Sequence, residues 1–215
     1  MMNDEWGNVF WLGGSPCSGK SSVSEVLAKQ FGLQIYKCDD HFDDHLQRTT
    51  PEEQPHFHRI GQMSWNGIWM RPVAELVADA IAIYREEFNI ILDDLRALPN
   101  DRPILAEGTA LLPDLVAPLL PRPEQAVFVV PTEPFQKTTY ARREWIQGIL
   151  AQCQEPEQAF ANWMDRDVRF SKWVVETAVI HNLRVLTVNG SRSISENAAL
   201  VANHFGFKQT PVPPR

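Results

Sequence analysis

The chain has 215 residues, 44% hydrophobic and 22% charged, a balance that suits a soluble globular protein with one substantial core. A formal net charge of −7 provides no global basic field, which argues against nucleic acid as a general partner; any anionic ligand must be met by locally placed cations. Cys17, Cys38 and Cys153 have no metal or redox spacing, no apolar run reaches membrane-spanning length, and the opening residues lack the basic segment of a signal peptide, so the expectation is a cytoplasmic protein with no membrane partner.

The apolar run Val9 to Gly13 predicts a first strand, and it leads directly into Gly14, Ser15, Pro16, Cys17, Ser18, Gly19, Lys20 and Ser21. That octet is G-x-x-x-x-G-K-[ST], a phosphate-binding loop. Glycines let the backbone turn its amides toward an anion, and the following helix adds its N-terminal dipole. Lys20 then reaches the β- and γ-phosphates, and the Ser21 hydroxyl ligands Mg²⁺. The nucleotide site therefore comprises residues 14–22, ending at Ser22. A chance match is expected in roughly one chain in a thousand of this composition. The helix after the loop carries the stripe Val23, Val26, Leu27 and Phe31, with Gly32 placed as its C-terminal cap.

A second strand spans Leu33 to Cys38 and ends in Asp39 and Asp40. The polar stretch 43–71 is too long for a simple connection and reads as a functional insert. Its Arg48, His56, His58, Arg59, Trp65, Trp69 and Arg71 suit an anionic or aromatic substrate, while the tryptophans equally suit packing of the insert onto the body. From Pro72 a helical stripe runs to about Leu98. Within it, Asp93 and Asp94 imitate the acidic end of an ATPase strand, but the stripe continues through Leu95, so they read as a solvated helix face.

Strands follow at Pro103 to Glu107, Ala126 to Val130 and Val185 to Val188, with a closing helix to Phe205. Strands separated by helices imply a parallel, doubly wound α/β sheet. Asp39, Asp40 and Glu107 each follow or end a strand at its C-terminal end, where open α/β sheets bind ligands. There a carboxylate holds Mg²⁺, directly or through water, or accepts a proton; the alternative for Asp39 or Asp40 is a cap. His41 and His45 have helical i,i+4 spacing, but without the glutamate of H-E-x-x-H a zinc site is the lesser reading.

The loop, first helix, second strand and Asp39-Asp40-His41-Phe42 together resemble the start of the P-loop small-molecule kinases. That group is similar in fold to adenylate kinase and includes shikimate, gluconate and uridine kinases and chloramphenicol phosphotransferase. Ile104 to Thr109 also resembles their third strand, where an acid and a glycine, here Glu107 and Gly108, face the substrate. The resemblance implies a three-layer P-loop NTPase fold over 1–208, with a five-stranded parallel sheet, a substrate-binding insert and an arginine lid at about 140–170. Residues 209–215 read separately as a flexible proline-rich tail.

By that resemblance Asp40 is the base, with Asp39 second or a partner to Mg²⁺. Arg142-Arg143 and, farther on, Arg166 and Arg169 are offered for the lid, with Arg142 and Arg166 preferred as catalytic; their alternative is ion pairing with Glu144, Asp165 and Asp167. Arg71 is taken as substrate-binding, and Arg192, after the fifth strand, as a contact to the nucleobase. The expectation is an ATP- and Mg²⁺-dependent phosphotransferase acting on a hydroxyl of a small-molecule acceptor. Its competitor is a nucleotide-binding switch or ATPase without an acceptor; a GTPase is disfavoured because no Asn-Lys-x-Asp motif occurs.

Overall fold

The chain begins with β1 (Val9–Gly14), α1 (Lys20–Phe31) and β2 (Gln34–Lys37), then the insert helices α2 (Phe42–Gln47), α3 (Pro55–Ile60) and α4 (Trp65–Trp69). The long α5 (Val73–Ala97) leads to β3 (Ile104–Glu107), α6 (Pro113–Val116), β4 (Ala126–Pro131), α7 (Glu133–Tyr140) and α8 (Glu144–Leu150). It closes with α9 (Pro156–Ile180), β5 (Arg184–Val188) and α10 (Ile194–Phe205). This computed structural model describes residues 4–208, so the tail expected at 209–215 lies outside the described residues.

The five strands form one parallel sheet in the order β2-β3-β1-β4-β5. The three inner strands are buried at every position, which explains their continuous apolar character, whereas β2 and β5 at the edges are only partly covered. Period-two alternation divides β1 between two cores. Val9 and Trp11 pack with Phe88 and Ile91 of α5 and Phe170 of α9; Phe10 and Leu12 pack with Val23 and Leu27 of α1 and Val201 and Phe205 of α10. Helices thus cover both faces, giving three layers. Gly32 caps α1 in the left-handed conformation at φ 68°, as its position predicts.

The insert is three short helices folded back onto α5. The Phe57 amide donates to Glu86 Oε2 at 2.8 Å, and the Phe57 ring is fully buried. Asp94 is where the sequence reading fails. It lies on a helix as expected and Asp93 is exposed, but Asp94 is half-buried and accepts from Tyr36 Oη at 2.9 Å and Arg48 Nη1 at 2.5 Å. Its partners come from β2 and the insert, so no local pattern reveals them.

Candidate active site

The phosphate loop joins the C-terminal end of β1 to the start of α1. Its geometry requires glycine at both ends: φ is 133° at Gly14 and 81° at Gly19. A Cβ at Gly14 would lie 2.0 Å from the carbonyl oxygen of Val129, because the Ser15 amide is pinned to that oxygen at 3.1 Å. Cys17 is left-handed without being glycine, at φ 61°, so the loop also stores strain. Burial pushes the Cys17 thiol up to about 11, against the pull of Arg143, so it stays protonated.

Lys20 is buried, with Nζ 2.9 Å from the Ser15 carbonyl oxygen and 3.4 Å from Thr109 Oγ1. The Ser18 hydroxyl is buried with no protein partner. An orphaned donor in a loop of convergent amides, beside a buried ammonium, is what a polyphosphate would satisfy.

A cleft of about 850 Å³ opens over this loop. Its size suits a nucleotide tail and a second small molecule together. One wall is acidic: Asp39 and Asp40, on a 3₁₀ turn after β2, with Asp43 and Glu87 beside them. The lining also includes Arg143 and Arg166 with Tyr140, Trp145 and Trp163.

Glu107 ends β3 in register with Leu12 of β1 and Lys37 of β2. Burial raises its carboxyl, against the pull of Lys20 and the nearby Ser21 hydroxyl, while the Asp39 charge adds to the rise. Ser21, Glu107 and Asp39 are the residue types that could hold Mg²⁺ at this end of the loop. Gly108, next in the chain, lets Cys38 approach closely, since a Cβ there would lie 2.7 Å from Cys38 Sγ.

The arginines separate by environment. Arg143 lies over the Tyr140 ring at 5.4 Å and the Trp145 ring at 6.0 Å. Its neighbour Arg142, preferred from the sequence, is exposed and does not line the cleft. Arg166 is pinned between its ion pair with Asp167, at 2.6 Å, and the face of Trp69, at 5.0 Å. Asp167 is fully buried and accepts from Tyr140 Oη at 2.7 Å; burial raises it, against Arg166 and Tyr140. Arg169 forms the surface pair with Asp165 at 2.8 Å, the alternative set out for it. Arg166 and Arg169 both ride on α9, which packs against the core through Phe170 and Val174.

Two further expected contacts lie outside the cleft. Arg192 donates to Asn197 Oδ1 and the Thr187 carbonyl, although its loop reaches the phosphate loop through Ile194, whose Cδ1 would lie 3.3 Å from a Cβ at Gly19. Arg71 pairs with Asp79 at 2.5 Å and lines a smaller chamber beside the cleft.

Glu87 was missed. Within the helical stripe of α5 it sits among apolar residues, and only tertiary structure brings it to the cleft. Its Oε1 lies 2.8 Å from His45 Nδ1, and His45 Nε2 lies 2.9 Å from Asp94 Oδ2. Both His45 nitrogens are thus committed to structure, while His41 stacks flat on Tyr36 with ring centroids 4.7 Å apart, which disfavours the zinc reading of this pair. Among the described residues no three His, Cys, Asp or Glu side chains cluster to hold a metal ion.

A parallel sheet ordered 2-3-1-4-5, with the phosphate loop leaving its central strand, decides the architecture. The chain has a three-layer α/β fold of the P-loop NTPase type. No family model matches the sequence, and no curated protein matches it either. Among solved structures, a Thermus thermophilus protein is similar at TM-score 0.49 and 16% identity, covering 91% of this chain and 96% of that one. Shikimate kinase from Acinetobacter baumannii, in complex with shikimate, is similar at TM-score 0.46 and 16% identity, covering 94% and 95%. Shikimate kinase from Aquifex aeolicus is similar at TM-score 0.38 and 15% identity, covering 92% and 96%. These are likenesses of architecture, and no residue role is carried over from them. No helix among the described residues is long and apolar enough to cross a membrane.

Proposed function

We propose that this chain transfers the γ-phosphoryl group of ATP to a hydroxyl of a small molecule. The observation that carries the reading is that Asp39, Asp40, Arg143 and Arg166 line one cleft together with the phosphate loop. ATP lies with its phosphates on the amides of residues 14–20, and Lys20 neutralises charge on the β- and γ-phosphates. The acceptor hydroxyl enters from the acidic wall. Its oxygen attacks the γ-phosphorus, the bond from that phosphorus to the bridging oxygen breaks, and ADP leaves with the electron pair. Asp40 accepts the hydroxyl proton, with Asp39 beside it.

Charge spreads over the γ-phosphate oxygens as the transfer proceeds, and guanidinium donors of Arg143 and Arg166 stabilise it in a site from which water is excluded. Mg²⁺, held by Ser21 with Glu107 and Asp39 near it, supplies further neutralisation of the phosphates when bound. The segment 141–155, which carries Arg143 and Trp145, acts as the lid, while Arg166 is a fixed element on α9.

The test is ADP formation with Mg²⁺ across a panel of sugars, sugar acids, nucleosides, amino alcohols and aryl alcohols, with Lys20→Ala as the blank. Acceptor-dependent turnover that vanishes in the blank is expected. Tight ATP binding that no acceptor converts to turnover would favour a nucleotide-binding sensor instead.

A further inference from the structure

A second chamber of about 160 Å³ opens beside the cleft, between the insert and α5. Its walls include Trp65, Ile68, Trp69, Leu76, Ala80 and Ile83. It adjoins the cleft, since Phe42, Tyr84 and Arg166 line both spaces. We propose that this chamber seats an apolar six-membered ring of the phosphate acceptor, making the acceptor a ring-bearing alcohol of the aryl type. The inference rests on the kinase reading above and names the substrate class of the same site.

Four observations converge on it. The volume matches one ring: an apolar cavity of about 150 Å³ is enough to bind benzene. The lining is chiefly aliphatic and aromatic, so a polyhydroxylated body would leave hydroxyls unpaired, at a cost that selects against it. Phe42 lines both spaces and follows Asp40 by two residues, which sets the chamber next to the carboxylates of the cleft. Finally, Trp69 is held firmly by stacking on Trp163 at 4.0 Å, so this part of the chamber's lining is preformed.

A packing gap between insert and core is the plainer explanation of an apolar hollow. Against it stand the shared residues, which set the hollow directly beside the reaction space, and Trp65, which is 39% exposed yet lines the hollow. An exposed indole beside an apolar hollow has contact area free for a ligand.

Full-length protein with a non-hydrolysable ATP analogue and Mg²⁺ would be titrated with 1-phenylethane-1,2-diol and with propane-1,2-diol, which lacks the ring, by calorimetry. The ring-bearing diol should bind at least about tenfold more tightly, as burial of a ring demands. Ala80→Leu, which fills the chamber, and Trp65→Ala, which removes an exposed wall without opening the core, should each lower its affinity at least about tenfold. Affinity for the ATP analogue should shift less than twofold in both and thereby report an intact fold. Equal binding of the two diols, or ring binding indifferent to both substitutions, overturns the proposal. Full ADP formation driven by a ring-less acceptor in both variants overturns it too and leaves the kinase reading standing. Ring binding lost in both variants, with no ADP formed from any acceptor, supports the chamber as a ring site and sinks the kinase reading instead.

Discussion

His45 Nδ1 lies 2.8 Å from Glu87 Oε1, and both side chains are almost wholly withdrawn from water. The pair ties the insert, through α2, to the carboxylate-lined wall of the cleft. Burial opposes the imidazolium, but hydrogen bonds to Glu87 and Asp94 outweigh it and raise the His45 pKa above its ordinary value. Burial also raises Glu87, against the pull of His45. A raised histidine stabilises the fold fully below its unfolded pKa of about 6.5, and that contribution is lost as pH rises through the folded value. A raised carboxyl likewise makes the fold less stable as pH rises. Thermal denaturation should therefore show Tm falling as pH rises above about 6.5, and His45→Gln should flatten that fall. His45→Ala, which leaves Glu87 buried without its partner, should cost roughly 3–5 kcal/mol in urea denaturation. A slope unchanged in His45→Gln would assign the pH dependence to other groups.

Arg142 and Arg143 are adjacent in sequence and differ in site geometry. Only Arg143 faces the cleft, laid over Tyr140 and Trp145. Arg143→Ala should lower kcat by about 10²- to 10³-fold, the range for losing one preorganised donor to developing charge. Arg142→Ala should stay within about twofold, as a surface substitution. Steady-state kinetics on the two variants side by side decides the matter; equal losses would mean that the lid rearranges on closing.

Asp40→Asn preserves the shape of the acidic wall and removes its proton acceptor. If Asp40 is the base, kcat should drop by about 10²- to 10⁴-fold while ATP affinity is kept. Asp39→Asn should instead weaken the response to Mg²⁺, because Asp39 is close enough to Glu107 to raise its carboxyl. Isothermal titration with an ATP analogue, paired with initial rates at several Mg²⁺ concentrations, separates the two roles. Full activity in Asp40→Asn would move the base to Asp39 or to the solvent.

Each part of this molecule was legible to the degree that its cause is local. The inner strands announce themselves because burial on both faces demands unbroken apolar runs such as Ala126 to Val130. The phosphate loop is legible because its glycines answer to backbone geometry within a few residues. The parallel, doubly wound sheet follows from the alternation of strands and helices, although its strand order does not. What the chain conceals is what depends on rotation and distance. Whether Arg142 or Arg143 turns inward depends on the turn between α7 and α8. Glu87 reads as one polar break in a helix stripe, and Asp94 as a surface acid, until His45 arrives from the insert to bond both. The ring-sized chamber is invisible for the same reason, since Trp65 and Ala80 belong to different helices.

Gly14 offers the most direct test of the loop's architecture. At φ 133° its backbone is in a region that side chains rarely enter, and a Cβ would stand 2.0 Å from the Val129 carbonyl oxygen. That carbonyl is not free to retreat, because it belongs to the buried core strand β4 and receives the Ser15 amide. Gly14→Ala should therefore do two things together. Strain of about 1–3 kcal/mol falls on the native state, read as a lower urea midpoint. The amide of Ser15 should also be pushed off Val129, tilting the loop and weakening ATP binding by more than the stability loss alone explains. Gly32→Ala serves as the control: it imposes left-handed strain at φ 68°, but a Cβ there meets nothing within 4 Å. Stability should fall in both variants, while ATP affinity should fall only in Gly14→Ala. Equal affinity in the two would mean that the phosphate loop holds its shape independently of its anchor to β4.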